Sequence, residues 1–285
     1  MKTISNSKTK LALVLMTSLL TTGLHAAVTL TASMPGGVGW NNSGYWSDGL
    51  APHSGGDYLV SSNYSLRTPT GSPGDTFGGD SLTFSTGSLG IVAGDGTTTT
   101  INNLSFTGNA SVGLSSGGSK SLAGTMDIAD GVQVNFFNGN SDTRVLTLTT
   151  LLSGAGTIRV GVGSTDAVGS TVNIVNAANT WAGNILMAQG TLNIANNLYA
   201  ADYVFTGDDG IFHLNAGKTY TFGEGSTLNG TSLAIGTYTA TELNDLALGG
   251  TEFTGTGTFA VVPEPSSAVL LCGGIITLAL SRRRL

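Results

Sequence analysis

Ser153-Gly154-Ala155-Gly156-Thr157-Ile158-Arg159-Val160 opens on two closely spaced glycines and runs into an alternation, with Ile158 and Val160 on one side and Thr157 and Arg159 on the other. A period of two is the mark of an extended strand with one buried face, and a preceding glycine marks a turn too tight for a side chain. The texture returns downstream at Val172-Asn173-Ile174, at Gly190-Thr191-Leu192-Asn193-Ile194, at Phe212 with Leu214, and at Tyr220 with Phe222. Upstream it appears at Leu82 with Phe84, Leu104 with Phe106, Val112 with Leu114, Val132 with Val134 and Phe136, and Leu146 with Leu148. Most of these runs are bounded by Gly, Asn, Asp or Ser, residues that tolerate turn geometry. No body segment of comparable length carries a helical period.

Strands this short cannot bury a core singly, whereas coils stacked about 4.8 Å apart share one continuous apolar column. The pattern therefore predicts an all-β body built as a right-handed parallel β-helix or a related β-solenoid. A β-sandwich is the alternative, because spacing alone does not decide which strands pair.

Between Leu152 and Asn197 the order is Gly154-Ala155-Gly156-Thr157-Ile158, then Asn179-Thr180-Trp181-Ala182-Gly183-Asn184, then Gly190-Thr191-Leu192. This resembles the autotransporter-associated β-strand repeat over about one repeat's length, with Arg159 where members often carry Lys and an extended loop from Gly163 to Ser170. The resemblance implies a β-helical passenger in which Gly154, Gly156, Gly183 and Gly190 serve corners, Asn179 stacks at a turn and Trp181 closes the coil. Gly255-Thr256-Gly257-Thr258-Phe259 repeats the turn and strand alone, and no autotransporter barrel pattern follows.

The two ends read as addresses. Lys2, Lys8 and Lys10 precede an apolar run from Leu11 to Leu20, and the small residues Ala26 and Ala27 offer a cleavage site, so 1–27 reads as a secretory signal peptide that engages the Sec translocon and signal peptidase. At the other end Pro263-Glu264-Pro265-Ser266 leads into an apolar run from Ala268 to Leu280 and then Arg282-Arg283-Arg284. A thirteen-residue run makes about 20 Å of helix against a hydrocarbon core of about 30 Å, a poor permanent span. The three arginines act as a membrane stop that holds this end in the cytoplasm, and the prolines keep the preceding segment extended and open to an enzyme. An ordinary tail anchor is the plainer reading of the same residues.

The segment 261–285 resembles the PEP-CTERM sorting signal, which in its family is recognised by exosortase, a membrane-embedded enzyme of Gram-negative bacteria that make exopolysaccharide. The resemblance implies a transient C-terminal transmembrane helix and processing near Pro263, Glu264 and Pro265, with the product released or attached outside. Cys272, the one cysteine of the chain, lies in the apolar run and reads as filler, so no disulfide can form in the body.

Composition narrows the function classes. The chain has 43 glycines, is 40% hydrophobic and only 10% charged, which is a folded, turn-rich composition rather than a disordered one. Of eleven basic residues, six lie in the end segments, leaving Arg67, Lys120, Arg144, Arg159 and Lys218 against every acid except Glu264, sixteen in all. The resulting balance, about −11 with neutral histidines, repels nucleic acid and anionic lipid and excludes both as partners of the body.

Residues 28–70 differ from the rest, gathering Trp40, Tyr45, Trp46, Tyr58 and Tyr64. A solenoid end exposes unpaired strand edges and an open core, so this region reads as an aromatic-rich cap on a body spanning 71–260. Trp40, Tyr45 and Trp46 are also the candidate glycan contacts, since amphipathic rings suit sugar faces. Gly236-Thr237-Tyr238-Thr239-Ala240 with Glu242-Leu243-Asn244 reads as a distal coil or edge-covering segment.

Catalytic raw material is sparse. The exported body carries only His53 and His213 and no cysteine, so a Cys-His nucleophile is absent and a Ser-His-Asp group would depend on an isolated histidine. Gly207-Asp208-Asp209-Gly210, Gly94-Asp95-Gly96 and Gly78-Gly79-Asp80-Ser81-Leu82 lack the repeated spacing that surrounds calcium with six or more oxygens and read as Asp-Gly turns. No metal and no cofactor is expected. These features together predict an exported, noncatalytic structural or adhesive protein of the cell surface or matrix, with extracellular polysaccharide as partner. A carbohydrate-binding surface protein is the alternative, and a polysaccharide-cleaving enzyme is a lesser one.

Overall fold

A computed structural model describes residues 26–71, 74–115, 118–137, 144–161, 170–247 and 250–263, and for residues 137, 207 and 208 the backbone alone. Within these limits the chain is all-β and winds as a parallel solenoid with three faces. Face one carries Asp57–Val60, Ser81–Phe84, the second half of Thr98–Phe106, the second half of Ser119–Ile128 and Leu151–Gly154, paired parallel in succession. Face two carries Ser65–Arg67, Ser88–Ile91, Ala110–Leu114, Gln133–Phe137 and Thr157–Val160. Face three carries the first halves of Thr98–Phe106 and Ser119–Ile128, then Val145–Leu148 and Thr171–Ile174. The β-sandwich alternative fails here, because neighbouring coils pair parallel and in sequence order rather than as antiparallel sheets.

Register makes the core. On face two Leu66, Leu89, Val112, Phe136, Val160, Met187, Phe205 and Leu228 occupy matching positions in successive coils. All are buried. On face three the matched set is Lys120, Leu146, Val172, Leu192, Phe212 and Phe253. Burying a large aliphatic or aromatic side chain stabilises by about 1.5–3 kcal/mol, and in the earlier coils the column residues alternate with polar or glycine neighbours such as Ser65, Ser88, Ser111 and Asn135. A slip of one residue in any coil would turn its apolar set outward, so the alternation also sets the stacking.

Lys120 is the exception in its column. Its side chain is buried where the next coils place Leu146 and Val172. Burial holds its ammonium below the usual lysine range, the nearby Asp95 charge opposes that, and Arg144 adds to it.

Glycine is required where coils turn close to one another. Gly154 has φ of +92°, and a Cβ there would collide with the carbonyl of Ile128 in the preceding coil. A Cβ on Gly183 would strike the carbonyl oxygen of Gly156 in the same way.

Both ends of the stack are covered. At the start, Val28–Thr29 pairs with Tyr58 and Leu59, and Trp40 N–H donates to the Arg67 carbonyl at 2.9 Å. The parallel stack is already established at Asp57–Val60, ahead of residue 71, where the sequence placed its beginning. At the far end Gly236–Tyr238 pairs antiparallel with Thr258–Val261, which makes it the edge-covering segment expected from its sequence. A short helix, Ala240–Leu246, follows; Thr239 accepts from the Glu242 N–H while the Glu242 carboxylate accepts from the Thr239 N–H, a reciprocal cap.

The core beneath this end is aromatic. Tyr203 packs with Phe212, Phe222, Phe253 and Phe259 at ring-centroid separations of 5.3–5.8 Å. Its hydroxyl is buried without a hydrogen-bond partner in the protein, and burial together with the Glu252 charge keeps its proton well above the usual tyrosine range.

Candidate functional site

The aromatic residues of the first coil are structural. Trp40 and Trp46 are 2% and 3% exposed, Trp46 packs edge-on to Tyr58 at 4.9 Å, and Trp40 packs edge-on to Phe77 at 5.3 Å. The Trp46 Nε1–H donates to the Trp40 carbonyl at 2.8 Å. Tyr45 is half-buried against this group, and its carbonyl accepts from Thr31 at 2.9 Å. The glycan-contact reading of Trp40 and Trp46 is therefore corrected: rings that fill the end of the core leave no open face for a sugar.

The titratable candidates stand apart from one another. His53 lies near the start, 3.9 Å from Asp48, and His213 lies on face three, where its Nδ1 meets Thr254 Oγ1 at 2.9 Å. Asp95 Oδ1 accepts from the N–H groups of Gly96 and Ser119, at 3.0 and 2.5 Å, so this carboxylate closes a turn and ties it to the next coil. Asp80 Oδ1 likewise accepts from Gly55 N–H at 2.9 Å. Among the described residues no group of three or more His, Cys, Asp or Glu is placed to hold a metal ion.

Of the sorting residues, Pro263 is exposed just after Val262, whose N–H donates to the Phe222 carbonyl at 2.9 Å. Ala26 and Ala27 are exposed just before Val28–Thr29. Glu264, Pro265, Arg282, Arg283, Arg284, the segment expected to form a C-terminal helix and the expected signal peptide up to residue 25 lie outside the described residues. Among those described, no helix is long and apolar enough to cross a membrane.

The outward positions carry polar rows, mostly hydroxyl and amide side chains, with Asp57, Asp127 and Arg159 among them. Ser65, Ser88, Ser111 and Asn135 stand in register on face two, with Ser88 Oγ donating to Ser65 Oγ at 2.9 Å. On face one Ser81 donates to Asp57 at 2.6 Å and Ser153 to Asp127 at 2.7 Å, each across one coil. Stacked side-chain bonds of this kind stiffen the rod without altering its shape.

Face one is interrupted once, and the break makes a site. Thr180 and Ala182 donate to the carbonyls of Leu152 and Gly154 at 2.9 and 3.0 Å, so 180–182 is joined to the coil below. The coil above, Leu198–Tyr199, pairs only upward, with Tyr220 and Thr221, and with Thr219–Phe222, Thr258–Val261 and Gly236–Tyr238 it forms a separate four-stranded sheet. The cause is local. Asn176 Oδ1 accepts from Ala178 N–H at 2.9 Å, a side-chain turn that takes the chain out of extended geometry before Thr180. Asn179 Oδ1 instead accepts from Leu152 N–H at 2.9 Å, and buried Trp181 fills the interior, its Nε1–H on the Gly156 carbonyl at 2.9 Å. Asn179 thus ties a turn to the preceding coil, and Trp181 is enclosed in its own.

The break is a cleft of about 200 Å³ that continues into an apolar groove of about 490 Å³ ending at Val262 and Pro263. Tyr199 stands between the two, 74% exposed. Among the described residues, no charged side chain lines either part. Tyr199, Asn196 and Asn197 were not singled out from sequence, although one signal was present: if Leu198 points inward, as Leu192 and Ile194 do, then the next residue, Tyr199, points out.

No family model, curated protein or solved structure matches the chain.

Proposed function

We propose that the chain is an exported, noncatalytic structural or adhesive protein of the cell surface or extracellular matrix. Its solenoid is a rigid spacer with polar outer rows, carried through the Sec translocon, trimmed by signal peptidase near Ala26 and Ala27, held transiently by its C-terminal helix and passed to exosortase. The observation that carries this reading is the join between body and tail: the final strand of the stack ends at Val261, and Pro263 follows it on an exposed face beside a coil already closed at its edge. A tail leaving a finished body can be cut without disturbing the core. The PEP-CTERM-like residues Pro263, Glu264 and Pro265 then mark the processing region and Arg282, Arg283 and Arg284 the membrane stop.

The noncatalytic part of the reading is supported by the separation of His53 and His213 and by the use of Asp95, Asp80 and Asp127 as turn and ladder acceptors. The test is intact mass of the chain recovered from cells with and without an active exosortase. Loss of Arg282–Arg284 only when exosortase is active is the expected result; a destination form that retains all three arginines would sink the proposal.

A further inference from the structure

We propose that the interruption of face one is a binding site for a neutral glycan, with Tyr199 as the stacking surface. The chemistry of the cleft is the reason. Asn179 uses its Oδ1 on the Leu152 N–H, and Asn197 uses its Oδ1 on the Thr219 N–H at 2.9 Å, which fixes both amides while leaving their Nδ2 groups without a partner among the described residues. Asn196 donates its Nδ2 to the Val175 carbonyl at 2.9 Å and presents Oδ1 unbonded. Exposed Thr180 adds a hydroxyl to the cleft lining. Donors and acceptors held in place by their other ends are preorganised for ring hydroxyls, and the largely exposed Tyr199 ring beside them offers an apolar face to sugar C–H groups.

Charge and shape select the ligand class. With no ionised side chain among the described residues that line either part, none of them compensates a uronate or sulfate, and the net negative body repels one. An extended peptide adding a strand would need a run of open backbone groups along the break. The rims are instead tied at both flanks, by Asn196 on the Val175 carbonyl and by Ala201 N–H on the Gly183 carbonyl at 3.0 Å, which leaves a short opening rather than a strand-length edge. Beyond Tyr199 the groove past Ala182 extends the contact toward Val262, room for a polymer to continue.

The proposal deepens the adhesive reading by naming a ligand class, and binding by the purified chain is measured independently of export or tail processing. The intact chain is run by affinity electrophoresis through gels containing mixed-linkage β-glucan, xyloglucan, galactomannan or polygalacturonate, with circular dichroism confirming the fold of each variant. Retardation by at least one neutral polymer is expected, weakened about ten-fold or more by Tyr199→Ala, retained in Tyr199→Phe, and weakened several-fold by Asn197→Ala. No retardation by any neutral polymer, retardation by polygalacturonate alone, or binding unchanged in Tyr199→Ala would overturn it. So would a concentration-dependent dimer that Tyr199→Ala dissociates, which would mark the cleft as a contact between copies of the chain.

Discussion

Asn244 and Phe253 exchange two hydrogen bonds: the Asn244 Nδ2–H donates to the Phe253 carbonyl and its Oδ1 accepts from the Phe253 N–H, each at 2.8 Å. A single side-chain amide thereby takes the place of the next strand at the edge of face three. Asn244→Ala leaves both backbone groups of a buried residue without this partner, and a cost of about 1–3 kcal/mol is expected. Urea unfolding followed by circular dichroism checks it; a midpoint unchanged from the parent would show that the far end is held otherwise.

The matched column on face two makes Phe136 a sensitive position and its neighbour Asn135 a tolerant one. Phe136→Ala is expected to cost about 3–5 kcal/mol, because the coils on either side cannot collapse into the space, while Asn135→Ser on the outer row should stay within about 0.5 kcal/mol. Equal losses from the two variants would contradict the assigned register.

Glycines separate in the same manner. Gly154→Ala meets both a positive φ and the Ile128 carbonyl, whereas Gly36 has open space around it and no such backbone requirement. Thermal melts should show Gly154→Ala destabilised by more than about 1 kcal/mol and Gly36→Ala close to the parent.

Tyr203 carries a hydroxyl that the aromatic core does not use. Tyr203→Phe preserves the ring contacts and removes a desolvated polar group, so a gain of about 1–2 kcal/mol is expected in urea unfolding. A loss would reveal a partner for that oxygen, such as a buried water.

Lys120 gives the fold a pH dependence with a definite sign. Burial lowers its proton affinity in the folded chain, so just below the ordinary lysine range the unfolded chain binds more protons, and stability rises as pH rises through that window. Lys120→Met, which suits a column continued by Leu146 and Val172, should flatten this part of the curve. Unfolding midpoints at pH 8 and pH 10, compared between parent and variant, decide it; identical slopes would remove Lys120 as the source.

The comparison of sequence with fold is uneven in an instructive way. Pairs such as Val172 with Ile174 and Leu192 with Ile194 are legible because period two is a local property, whereas the close approach that requires glycine at 154 and 183 comes from the carbonyls of Ile128 and Gly156 in the preceding coil. Trp40 and Trp46 were equally visible, but a tryptophan capping a core and one offered to a ligand have the same sequence. Tyr199 was the reverse case, an ordinary residue made prominent by the strand that fails to pair beside it.

The sequence by itself determined that the body is a pile of short strands with apolar residues alternating inward, because backbone geometry converts period two into one buried face wherever it occurs. Only the tertiary structure decided that Phe136 lies over Val112, that Trp46 is enclosed and Tyr199 open, and that Asn179 reaches Leu152. Those facts depend on which coil rests on which, a relation between residues more than twenty positions apart that no local pattern specifies.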